Sequence, residues 1–88
     1  MKPIEWNQDK DELLKRTRGV SFEQITEAIT KNGGLIKVIR NSENYPNQKV
    51  FIVRMNNYIY CAPFVEDAKK IFLKTIFPSS KLTKLFIK

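Results

Sequence analysis

Two adjacent asparagines, Asn56 and Asn57, separate two runs whose composition suits a sheet: KVFIVRM over 49–55 and YIYCAPF over 58–64. Asparagine enters positive φ more readily than other non-glycine residues, and a two-residue primed turn needs two such residues in succession. Valine, isoleucine, phenylalanine and tyrosine dominate the flanking runs, as a pleated, half-buried surface favours. A third run, IFLKTIF over 71–77, follows an acidic and lysine-rich connector. Residues 49–77 therefore read as an antiparallel meander that carries most of the core. Pro63 falls near the end of the second run, which marks an edge or a bulge there.

The chain before the meander reads as its cover. Ile4 and Trp6 alternate with Glu5 in a short strand. Asn7 is a good N-cap, with Asp9, Asp11 and Glu12 in the first turns of a helix and Lys15, Arg16 and Arg18 in its last, where the helix dipole favours each sign. Gly19 ends that helix. Ser21 and Gln24 form a capping box for a second helix, with Val20 and Ile25 as its hydrophobic staple. Phe22, Ile25, Ala28 and Ile29 recur at helical spacing and define its buried face. Asn32-Gly33-Gly34 stops it. A strand follows over 35–40, then a polar loop over 41–48 containing Pro46.

After the third run, Pro78 stops the strand. Ser79 or Ser80 caps a last short helix with Leu82, Leu85 and Phe86 on one side and Lys81, Lys84 and Lys88 on the other. Two helices must cover one sheet face to bury it, so the expected architecture is α+β. It is a single domain over residues 1–88: a small antiparallel sheet covered on one face by two N-terminal helices, with a short C-terminal helix. Arg54 and Lys74 fall on strands and are expected on the other, partly exposed face.

No stretch is long and apolar enough to span a bilayer, and the acidic N-terminus lacks the apolar core of a signal peptide. With the single cysteine, Cys61, this points to a cytoplasmic protein. Sixteen lysines and arginines against nine acids give a net charge of +7. Such a domain attracts polyanions, either nucleic acid or an acidic protein. With no histidine and one cysteine there is no metal motif, no histidine-based triad and no expected cofactor. Phosphate-binding glycine loops are absent as well. Cys61, between Tyr60 and Ala62, reads as a buried, inert thiol.

A lysine, arginine, tyrosine and serine set remains. Lys74, Ser79, Ser80, Lys81 and Lys84 cluster at the end of the last strand and the turn beyond it, with Arg54, Tyr58 and Tyr60 on neighbouring strands. Such residues bind phosphate and stack on bases. They also support RNA cleavage without histidine: a lysine or tyrosine takes the 2′-hydroxyl proton, and a cation stabilises the phosphorane. Solvated lysines and packed tyrosines are the structural alternative, and Tyr58 is read as packing.

The opening Ile4-Glu-Trp-Asn, followed by Arg16-Thr-Arg-Gly-Val-Ser-Phe-Glu23, resembles the N-terminal signature of BrnT-type toxins of type II toxin–antitoxin systems. The closing Thr75-Ile-Phe-Pro-Ser-Ser-Lys-Leu-Thr-Lys84 is similar to that family's last strand and basic turn. The chain departs from the pattern at Ser80, where arginine is usual, at Arg18, where histidine is usual, and at Phe77-Pro78. The resemblance implies a RelE-like fold and an endoribonuclease that cuts mRNA, on or off the ribosome, and is neutralised by a cognate antitoxin. It leaves a homodimer or a hetero-oligomer with the antitoxin as the open assemblies. Lys81, Thr83 and Lys84 match the basic turn. The expected catalytic residues are Lys74, Lys81 and Lys84, and the expected RNA-binding residues Arg18, Arg54, Tyr60, Ser79 and Ser80. The alternative is a non-catalytic basic module that binds nucleic acid or an acidic protein.

Overall fold

Asn56 and Asn57 take φ of 55° and 61°, the two left-handed residues that a type I′ turn requires. They join β3 (Gln48–Met55) to β4 (Tyr58–Glu66) in register from Gln48↔Val65 to Met55↔Tyr58. The computed structural model describes residues 2–40 and 48–87. The expected polar loop, Pro46 included, lies outside the described residues except for Gln48. Around the hairpin the chain runs β1 (Ile4–Trp6), α1 (Gln8–Arg18), α2 (Phe22–Thr30), β2 (Leu35–Arg40), β3, β4, β5 (Ile71–Leu73), β6 (Phe77–Pro78) and α3 (Ser80–Phe86). The architecture is α+β. The sheet order is β1-β5-β4-β3-β2, with β6 also on β4.

Two features differ from the expected antiparallel sheet. The first is that β1 lies parallel to β5, Ile4 opposite Ile71 and Trp6 opposite Leu73, so the sheet is mixed. The Ile71 N–H donates to the Pro3 carbonyl at 2.9 Å, and Glu66 is bridged by Lys2 at 2.8 Å and Lys49 at 3.2 Å. A three-residue edge strand carries no local signal for its partner; these long-range contacts choose it.

The second is that the expected single strand over 71–77 is two. Phe64 faces Leu73 and Cys61 faces Phe77, so three steps along β4 are matched by four along the edge. The extra residue is a bulge. Its cause is legible in Pro63. The Lys74 N–H donates to the Pro63 carbonyl at 2.8 Å, and a strand residue points its nitrogen and its carbonyl at the same neighbour. The proline nitrogen, with no hydrogen to give, therefore faces the bulge. The added residue shifts the alternation, so Leu73 and Ile76, three apart, both point into the core, 1% and 0% exposed.

The main core lies between the helices and one sheet face. Leu14, Val20, Phe22, Ile25, Ala28 and Ile29 meet Phe51, Val53, Met55, Ala62, Phe64, Ile71, Leu73 and Ile76. Each large side chain buried there contributes about 1.5–3 kcal/mol. Phe51 stacks on Phe64 and Trp6 on Phe22. Leu13, expected beside Leu14 on the apolar stripe, is exposed. Gly34 lets α2 approach β3: a methyl group there would meet the Arg54 carbonyl at 2.5 Å.

The helix junction holds a contact that the sequence did not announce. Asn7 caps α1, and Ser21 and Gln24 form the expected capping box on α2. Asp11, read as a first-turn acid, is 4% exposed and accepts the Phe22 N–H at 2.8 Å. It thereby caps α2 from α1, and Lys15 pairs with its other oxygen at 3.2 Å. That hydrogen bond and charge push the Lys15 pKa up.

Asp11→Ala leaves a buried N–H unmet, so we expect a loss of about 1–3 kcal/mol in chemical denaturation, with Asp11→Asn retaining part of it. Glu66 supplies a pH test. Hydrogen bonds from Lys2 and then Lys49 hold its carboxyl below the usual range. Backbone hydrogen bonds from Lys69 and Lys70 do the same for Asp67. A depressed carboxylate stabilises the fold fully above its unfolded pKa of about 4, and that contribution fades as pH falls through the folded value. Glu66→Gln should therefore be less stable than the native chain at pH 7, and the two should converge below about pH 4.

Candidate nucleic-acid interface

The sheet's second face carries its own smaller core. Ile52, Ile59 and Cys61 are buried against Val50, Leu82 and Ile87. The sequence predicted α3 but not its seat. Ser79 caps it, its hydroxyl accepting the Leu82 N–H at 3.2 Å. The Ser79 N–H donates to the Ile59 carbonyl, which extends the β6 pairing by one residue. Thr83 then ends the ladder. Its hydroxyl accepts the Ile59 N–H at 2.9 Å and donates to the Ser79 carbonyl at 2.7 Å. Thr83, matched to the basic turn by resemblance, thus pins α3 to β4. Burial beneath α3 pushes the Cys61 thiol pKa up, in keeping with an inert role.

Around this small core the cations gather. Lys37 pairs with Ile52 and Arg54 with Ile59, which places both on the α3 face. Lys74 lies there too, its ammonium 5.7 Å from the Phe72 ring centre. Lys37 similarly lies over Phe86, at 5.8 Å. Lys81 and Lys84 line a shallow groove with Ser80 and Leu85. No acid among the described residues forms an ion pair with any of these five cations. Glu5, opposite Phe72 at the far edge of this face, is taken by Lys70 at 3.4 Å. Residues 7–31, by contrast, hold five acids and five bases. The excess charge of the chain therefore lies outside residues 7–31, and these five cations carry part of it on the α3 face. Another depression, lined by Val65, Glu66, Asp67, Lys70 and Phe72, contains two acids and does not suit an anion.

The expected site residues divide between the two faces. Lys81 and Lys84 share the groove with Ser80. Ser79 borders it, with its hydroxyl committed to the cap. Lys74 is on the same face but over Phe72, not in that groove. Arg54 is exposed and donates to Asn57 at 3.1 Å. Tyr60 pairs with Val53, packs on the main core and tilts against Tyr58, so it belongs to the helix side. Arg18 lies on α1 and donates to the Ile76 carbonyl at the bulge, tying that helix to the edge. Phe72, Phe77 and Phe86 were missed as members of the face. Phe77 is 40% exposed and Phe86 38%, and only strand register and the docking of α3 bring them beside the lysines.

The face can hold a phosphate backbone on its cations and offer ring surfaces to unstacked bases. Among the described residues no group of metal-ligating side chains occurs, and no helix is long and apolar enough to cross a membrane. Thr83→Val removes the pin without removing bulk. We expect it to loosen α3 and speed labelling of Cys61 by a thiol reagent several-fold, with the far-ultraviolet spectrum unchanged. No family model, curated protein or solved structure matches this chain.

Proposed function

We propose that this chain binds RNA across the α3 face and cuts it as the toxin of a type II toxin–antitoxin pair, held in check in the cytoplasm by a cognate antitoxin. The observation that carries the binding half is the segregation of charge: Lys37, Arg54, Lys74, Lys81 and Lys84 share one aromatic-bearing face without an acidic ion-pair partner among the described residues. The cleaving half rests on the resemblance to BrnT-type toxins at both ends of the chain. In the groove, one lysine takes the 2′-hydroxyl proton. The 2′-oxygen attacks the adjacent phosphorus, and the 5′-oxygen leaves with a proton from the second lysine. The products are a 2′,3′-cyclic phosphate and a 5′-hydroxyl end. Lys81 and Lys84 fill these roles, and Lys74 and Arg54 hold flanking phosphates.

A second reading has its own support. Lys74 lies over Phe72, outside the Lys81–Lys84 groove. That dispersal suits a module that grips RNA without turning it over. The experiment separates the two. Expression in a bacterial host should arrest growth and shorten mRNA, and a Lys74→Ala, Lys81→Ala, Lys84→Ala variant should relieve both while remaining folded. Normal growth with intact RNA, alongside salt-sensitive RNA binding, would favour the non-catalytic module. In either case each lysine removed should lower the slope of log affinity against log salt by roughly 0.7 on single-stranded RNA.

A further inference from the structure

β2 ends the strand order, so its outer row of N–H and C=O groups has no strand partner among the described residues. It is six residues long and apolar for an edge: Ile36, Val38 and Ile39 are 36%, 46% and 40% exposed. A bulge at Ile36 and the charges of Lys37 and Arg40 guard it against indiscriminate pairing. The four residues beyond the bulge stay in regular register. Val38 and Arg40 share the helix-side face with Phe51 and Lys49, while Lys37 and Ile39 share the α3 face with Ile52 and Val50.

We infer that residues 37–40 of β2 form a docking edge for an extended, acidic segment of a different protein, which adds to the sheet as an antiparallel strand. Backbone hydrogen bonds give such strand addition its affinity and side chains give it specificity. Opposite Arg40, Ile39, Val38 and Lys37 the incoming strand meets cation, apolar, apolar, cation. The complementary sequence is acid, apolar, apolar, acid. Arg40 already faces Lys49 across β3, which raises the preference for an acid at that position. A second copy of the chain fits poorly. The register that overlaps residues 37–40 with their copies sets Lys37 opposite Arg40 twice, between two chains of charge +7. This docking edge does not depend on the ribonuclease reading, because the peptide test below contains no RNA.

The test uses two labelled ten-residue synthetic peptides, one centred on Glu-Val-Val-Glu and its counterpart on Lys-Val-Val-Lys, against the full chain by fluorescence anisotropy and amide exchange. The acidic peptide should bind at least tenfold more tightly and slow amide exchange in β2. A Lys37→Glu, Arg40→Glu variant should reverse the preference, and its binding of the basic peptide shows at the same time that it is folded. Equal affinity for both peptides, binding of neither, protection that falls outside β2, or a β2-mediated homodimer that excludes the peptide would each overturn the proposal.

Discussion

The β3–β4 pairing is the constraint on which the rest depends. It is the longest ladder in the sheet, and every layer reaches it. β2 pairs with β3, and β5 and β6 pair with β4. The N-terminal helices close over one face of the hairpin and α3 over the other. A shift of one residue at the Asn56-Asn57 turn would exchange the two faces, because side chains alternate with period two. Phe51, Val53 and Met55 would then leave the large core, and Ile52 would leave the small one. Two positive-φ residues in succession admit one tight register, and both faces are built on it.

The edge beside β4 shows how one residue re-aims several others. Pro63 has no hydrogen to offer, and the facing chain takes one extra residue. That bulge buries Ile76 and leaves Phe77 on the α3 face. It also brings the chain to Ser79 in position to cap α3 and extend the ladder at Ile59. The basic turn is thus fixed through backbone geometry set on the neighbouring strand, β4. The same edge holds α1 through Arg18 and the Ile76 carbonyl.

The hairpin, the capping box and the stop at Asn32-Gly33-Gly34 were readable because their chemistry is local. Pro63 gave warning of a bulge, though not of its place on the facing strand. The site was only partly readable. Lys81, Lys84 and Ser80 are neighbours in sequence and remain so in space. Tyr60 and Arg54 are also near in sequence, yet they lie on opposite faces, because six residues apart across a turn is not a statement of face. Phe72 and Phe86 carry no mark in the sequence that joins them to Lys74 and Lys37. Asp11 reads as an ordinary first-turn acid until the fold brings the start of α2 beside it.

By itself the sequence determined the elements, the α+β class, the helix caps and the primed turn, since each depends on residues a few positions apart. It also determined a large positive charge. Only the tertiary structure decided that β1 lies parallel to β5, that the last strand breaks at a bulge, and that α3 builds a second small core. It alone brought Lys37, Arg54, Lys74, Lys81 and Lys84 onto one face. The physical reason is common to all four: strand partners, register and facing surfaces are settled by contacts between distant residues, and those contacts have no local signature in the chain.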